Sequence, residues 1–170
     1  MVVRKRLNIA GPAIAFITTT VFEWKPILTQ MNVADTIIEE IQKTQSLFQC
    51  SMISYVIMPS HIHLLMGFAN IDDLSKYMQS FKSITSRRIK RFTLQELAEN
   101  DFKLWKPRFD DLIIQSERQL RIKMEYIHNN PVKAGLVENA EDWPYSSAVD
   151  WLTSNGNVIK IDKAFHWLTK

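Results

Sequence analysis

The stretch CSMISYVIMPSHIHLLMGF, residues 50–68, decides the fold class. Two runs rich in apolar and β-branched residues, 50–58 and 61–68, are separated by Pro59-Ser60. That dipeptide is turn chemistry of hairpin length, so the runs should pair as antiparallel strands. Side chains alternate between the faces of a strand, which puts His61 and His63 on one face and Ile62 and Leu64 on the other. Two imidazoles on one rigid strand can share a transition-metal ion, and a third oxygen or amide ligand would leave positions open for a substrate phosphate. A His-x-His pair by itself is a weak signal, because a half-exposed strand carries such pairs by chance.

Outward from the hairpin, the pattern alternates between strand and helix periods. Residues 13–20 are apolar and β-branched and read as a first strand, followed by a loop through Glu23-Trp24-Lys25-Pro26. Residues 35–48 place Ile37, Ile38, Ile41, Leu47 and Phe48 at helical spacing, with Asp35 as N-cap. After the hairpin, Asp72 or Asp73 can cap a helix reaching about residue 92, with Leu74, Tyr77, Met78, Phe81 and Ile84 in one apolar stripe. Residues 102–114 suit another strand or short hairpin interrupted at Pro107. Ser116 and Gln119 form a capping-box pattern that opens a third helix with Leu120, Met124 and Ile127 at core spacing, and Pro131 should end or break it. From residue 139 the pattern suggests loops with one or two short helices or strands. The order strand, helix, two strands, helix, strand, helix implies an α+β, ferredoxin-like domain: a largely antiparallel sheet with helices packed on one face.

A chain of 170 residues with 46% apolar residues fits one domain, 1–170, in which 139–170 is a loosely defined C-terminal extension. No apolar stretch suits a membrane span or signal peptide, so a cytoplasmic protein without a membrane partner is expected. The one cysteine, Cys50, has no partner for an internal disulfide and reads as core packing. The net charge of +3 is modest, but its distribution is not. Lys82, Arg87, Arg88, Lys90 and Arg91 fall within ten residues with no acid among them, and Arg4, Lys5 and Arg6 add a second cluster. Such a run is either a solvated helix face or the footprint of a polyanion.

On the third helix Tyr126 and Asn130 lie four apart, on the same face, in a row with Ile122. Leu120, Met124 and Ile127 mark the buried side, which leaves Tyr126 at the edge of the packed stripe. A phenol there can attack phosphorus if charge on the phosphate is offset; equally, it can be an amphipathic residue with a packed ring and a wet hydroxyl. Asn130 followed by Pro131 also suits the N-cap and first residue of a new helical turn. His128 lies about 200° round the helix from Tyr126 and reads as a partly exposed or packing residue; His166 reads as a surface residue.

Several motifs together resemble, in order and spacing, the single-tyrosine HUH transposases, and within them the REP-associated tyrosine transposase group. They are the run from Met58-Pro59-Ser60 through His61-Ile62-His63-Leu64-Leu65, then Phe81-Lys82-Ser83-Ile84-Thr85 and the segment 105–114. Tyr126-Ile127-His128-Asn129-Asn130-Pro131-Val132-Lys133-Ala134-Gly135-Leu136-Val137 and Trp143-Pro144-Tyr145-Ser146-Ser147 complete the set. The resemblance covers about 13–147. Ser60 stands where that pattern leads one to expect Asn, and Asp110-Asp111 where an aromatic-acid pair is expected.

The resemblance implies a ferredoxin-like domain that binds single-stranded or hairpin DNA of repetitive palindromic elements. It implies that His61, His63 and Asn130 hold a divalent ion, Mg or Mn, and that Tyr126 is the nucleophile of a transesterification that yields a 5′-phosphotyrosine and a free 3′-hydroxyl. Lys82, Arg87, Arg88, Lys90 and Arg91 then become candidate phosphate contacts, and Trp24, Trp105 and Phe109 either stack on unpaired bases or pack in the core. Members of such a family occur as monomers or homodimers. Two alternatives belong beside this reading: a catalytically silent, host-adapted hairpin DNA-binding protein, and a replication-initiator or relaxase nuclease of the same chemistry, for which the chain is short.

Overall fold

A computed structural model describes residues 9–93, 103–153, 155–156 and 159–164. His166, the Arg4-Lys5-Arg6 cluster and Phe102 lie outside the described residues. The element order is β1 (Ala13–Thr20), a 3-10 turn (Phe22–Trp24), α1 (Met31–Leu47), β2 (Ser51–Ile57), β3 (His61–Phe68) and α2 (Asp73–Thr93). It continues with β4 (Asp110–Ile113), α3 (Glu117–Lys133), a second 3-10 turn (Ala140–Asp142) and α4 (Ala148–Leu152). The strands form one antiparallel sheet in the order β2-β3-β1-β4. This is the ferredoxin-like arrangement expected from the hairpin and its flanking crossovers.

One expectation about the layers is corrected. Helices α1 and α2 cover one face, where Ile37, Ile41, Tyr77 and Phe81 pack on Ala15, Ile17, Ile62 and Leu64. Helix α3 covers the other, where Leu120 and Ile127 pack on Ile14, Phe16, Ile53 and Leu65. The cause lies in the central strands: every residue of β3 after His61 is buried, so both faces are apolar and both need a cover.

Three boundaries also differ from the sequence reading. Helix α1 starts at Met31 with Gln30 as N-cap, and Asp35 lies inside it. Its apolar period begins at the buried Val33 and Ala34, whose amides both bond the Gln30 carbonyl, so tertiary burial starts the helix a turn before the acidic cap signal. Residues 102–114 yield only β4 and, before Pro107, a single bridge between Trp105 and Val21. Pro131 does not stop α3. The stop is Gly135, at φ +69°, whose amide bonds Val132 O while Leu136 N bonds Pro131 O. This is a Schellman motif, and only a residue at ease in the left-handed region forms it cheaply. Asn130 is therefore held inside a continuous helix and is not the N-cap of a new one.

The segment after residue 139 lies along the outer edge of β2. Ile57 N bonds Tyr145 O, Ser147 N bonds Tyr55 O, and Asp162 N bonds Met52 O, while Trp143 and Trp151 donate their indole N–H groups to Ile57 O and Ile53 O. An edge strand with unpaired amides is thereby covered. No described helix is long and apolar enough to cross a membrane.

Candidate active site

β3 begins with the two histidines, and its alternation turns both imidazoles to the α3 side of the sheet. Their ring centroids are 4.8 Å apart. Across the sheet His63 is paired with Thr18 of β1, and Thr18 Oγ1 lies 2.8 Å from His63 Nδ1. Phe16, two residues earlier on the same face, stacks on the His63 ring at 5.4 Å. His63 is thus clamped through one nitrogen and one ring face. Its other nitrogen, Nε2, is buried and has no hydrogen-bond partner among the described residues. Burial above all, then the nearby His61 and Lys123, pushes the His63 imidazole down to about 3. Burial also lowers His61, against an opposing hydrogen bond from the Asn130 side chain. Both rings are consequently neutral at ordinary pH, with lone pairs to give.

α3 brings the remaining residues to this face. Tyr126, 39% exposed, sets its ring edge-on to His63 at 5.2 Å and to Phe16 at 5.9 Å. Asn130, one turn on, reaches His61. Lys123 Nζ lies 4.6 Å from the Phe16 centroid and 5.6 Å from that of Tyr126, and Lys133 Nζ lies 5.9 Å from Tyr126. The spacing 123, 126, 130, 133 follows one helical face, so the docking of α3 delivers a phenol, an amide and two cations together.

That docking rests on Leu120 and Ile127, and on His128, which is buried on the opposite side of the helix from Tyr126. His128 Nε2 lies 3.0 Å from both Ser54 Oγ of β2 and Ser147 Oγ, which itself accepts from Tyr55 N. Burial pushes His128 down to about 4. Of the two readings its place on the helix allowed, partly exposed or packed, the structure shows His128 packed.

The four residues His61, His63, Tyr126 and Asn130 are therefore brought side by side within one chain. Among the described residues no group of three His, Cys, Asp or Glu forms, so a third protein ligand beside the histidines would be the Asn130 amide. Neutral imidazoles, an unpartnered buried Nε2 and an adjacent amide fit a divalent ion. The sequence reading missed Thr18, Lys123 and Lys133; the two lysines could have been found from their place in the Tyr126 row, whereas Thr18 is identified only by strand register.

The basic segment is less uniform than its sequence. Lys82 is half-buried and donates to the carbonyls of Lys106 and Arg108, at 2.6 and 3.0 Å, and burial lowers its pKa. Arg88 pairs with Glu39 at 2.7 Å and with the buried Glu40 at 3.3 Å. These two cations are committed to protein partners, while Arg87 and Arg91 are exposed. The cluster also belongs to α2, across the sheet from the histidines. Of the three aromatics considered for base stacking, Trp105 is buried with its N–H on Thr85 Oγ1 at 2.9 Å, and Trp24 is 56% exposed.

Comparison with known proteins places this geometry among relatives. The family model described as Transposase IS200 like matches residues 16–130. A Haemophilus influenzae protein classed with the REP-associated tyrosine transposases is 32% identical over 100 residues, 56% of this chain and 57% of that protein. The REP-associated tyrosine transposase of Escherichia coli K12 is 32% identical over 94 residues, 55% of this chain and 52% of its own length. The chain thus spans about half the length of the curated relatives it matches. A solved structure of a REP-associated tyrosine transposase bound to a REP hairpin shares the fold, with a TM-score of 0.73 at 24% identity over 88% of this chain and 84% of that one.

Proposed function

The chain belongs to the IS200-like transposase family, and on that premise we propose that it cuts and rejoins single-stranded DNA, with Tyr126 as the covalent nucleophile. The observation that carries this reading is the phenol of Tyr126 lying against His63 while Asn130 reaches His61 in the same chain. The substrate we infer is hairpin DNA with an unpaired flank; the structural relative is bound to a REP hairpin.

The step is a transesterification. The Tyr126 oxygen bonds to the scissile phosphorus as its proton leaves, the P–O3′ bond breaks, and the departing 3′ oxygen gains a proton. A 5′-phosphotyrosine and a free 3′-hydroxyl result. One phosphoester replaces another, so a second 3′-hydroxyl can reverse the step without ATP. His61, His63 and Asn130 would hold a divalent ion, Mg or Mn, which when bound supplies positive charge at the scissile phosphate. Thr18 orients His63 through Oγ1 at 2.8 Å from Nδ1, and with the imidazole proton on Nδ1 the free lone pair would be on Nε2. Lys123 and Lys133 put two more cations beside the phenol, where they would attract the phosphate and offset its charge. Phe16 and the buried histidine ring exclude water from one side of this group.

The test is a hairpin oligonucleotide with an unpaired flank, incubated with Mn. The wild-type protein should form a covalent adduct resistant to denaturation, and chelation should stop its formation reversibly. Tyr126→Phe should form none while binding the hairpin within about threefold of wild type. A persisting adduct in Tyr126→Phe overturns the nucleophile. Hairpin binding with no adduct in the wild type at any divalent metal identifies a silent binding protein instead. Mixing Tyr126→Phe with His63→Ala should not restore adduct formation, because one chain holds both halves of the site.

A further inference from the structure

Beside the histidine pair lies a second feature that the cleavage chemistry does not use. A cavity of about 840 Å³ opens between the β1 end and the segment before β4, with Thr18 and Thr20 among its lining residues. Its walls carry Phe22, Trp24 and Phe109, with Lys106 and Arg108. The size falls in the range of about 300–1,000 Å³ typical of cavities that enclose a small organic ligand.

Its construction is not that of an incidental crevice. Glu23 and Trp24 both take left-handed backbone, at φ 56° and 58°, which non-glycine residues adopt only under strain. The turn is held by Trp24 N on Val21 O and by Leu28 N on Pro59 O. This conformation leaves an indole 56% exposed and edge-on to the His61 ring, with the ring centroids 5.9 Å apart. Facing it, Lys106 Nζ lies 4.4 Å from the Trp24 centroid, and the backbone on either side of Pro107 is pinned by the Lys82 ammonium. The half-buried Lys82 thus directs its charge to shaping this wall. Two carboxylates join the lining: Glu23, paired with Lys25 at 3.4 Å, and Asp110. Both are exposed.

We propose that this cavity takes an unstacked nucleobase of the strand that runs on from the scissile phosphate, with Trp24 as the stacking platform and Lys106 and Arg108 as contacts to its flanking phosphates. Aromatic faces with interleaved cations suit a single strand, whose bases expose π-faces and whose backbone is anionic. The contact between Trp24 and His61 sets the cavity beside the candidate cleavage site. This inference rests on the reading of the chain as a single-strand DNA enzyme.

The experiment uses two fluorescein-labelled probes, oligothymidine 12-mer and a 12-mer of abasic deoxyribose phosphate, with binding followed by anisotropy. Trp24→Ala should weaken oligothymidine binding about 5- to 100-fold and leave binding of the abasic strand unchanged. Trp24→Phe should recover most of the loss, and the exposed position makes both variants foldable, as far-UV circular dichroism would verify. An unchanged oligothymidine affinity in Trp24→Ala, or an equal loss on both probes, overturns the base site. So does a wild-type protein that prefers neither probe. The Tyr126 adduct assay is read separately on the same variants, so a failed nucleophile with a base-dependent Trp24 effect sinks the cleavage reading and spares the cavity.

Discussion

Lowering the pH from 7.5 to 4 should weaken the fold through His128, by an amount that the structure allows to be worked out. The imidazole is buried between β2, α3 and the segment after residue 139, and its two partners, Ser54 and Ser147, are neutral hydroxyls. Burial holds its pKa at about 4, against 6.5 for an exposed histidine. Between those values the unfolded chain binds a proton that the folded chain refuses, so stability rises with pH across that window and falls as pH drops through it. The loss attached to His128 is about 2 kcal/mol at pH 5 and about 3 kcal/mol at pH 4, and it vanishes above about pH 7. His63, held down to about 3, loses stability in the same direction, which makes the comparison with His128→Gln essential. Glutamine can keep a hydrogen bond to the serines without titrating. Urea unfolding of both proteins between pH 4 and 7.5 should show wild type losing about 2 kcal/mol more than the variant by pH 5. Parallel stability curves would refute the reasoning, since they would mean that His128 takes up its proton without leaving its burial site.

Two further predictions follow from contacts that strand and helix register create. Thr18→Val keeps the volume but removes the oxygen that orients His63, and should weaken Mn binding about 10- to 100-fold by calorimetry, with Thr18→Ser near wild type; equal Mn affinity in Thr18→Val would remove Thr18 from the site. Arg88→Ala leaves the buried Glu40 carboxylate, among the described residues, with the Thr44 hydroxyl at 3.4 Å and should destabilise the fold by about 1–3 kcal/mol. Hairpin affinity in that variant should change less than twofold, and a large affinity loss with unchanged stability would return Arg88 to the DNA surface.

The hairpin, the shared face of His61 and His63 and the spacing of Tyr126 and Asn130 were legible from the chain alone, because each follows from a period of two or 3.6 residues within one element. So was the ferredoxin-like order, since short turns and helical crossovers leave few ways to pair four strands. Where local rules competed, the outcome was not legible. Pro131 and Gly135 both signal a stop to α3, and the helix runs to the glycine, where a Schellman motif closes it, even though Pro131 removes one i→i−4 bond. Asp35 is a sound cap by its type, yet burial of Val33 and Ala34 sets the start of α1 earlier.

What the sequence determined by itself was which residues carry chemistry and which side of their own element they occupy. Only the tertiary structure decided which of those sides meet. Ser54 and His128 are 74 residues apart, and Thr18 and His63 are 45 apart. Contacts of that range depend on which face of the sheet each helix covers and on strand register, and no local period encodes either. The same holds for charge: Lys82 and Arg88 are basic residues of the same run as Arg87 and Arg91, and they differ because the Lys106 and Arg108 carbonyls and the Glu39 and buried Glu40 carboxylates, all from distant elements, hold them.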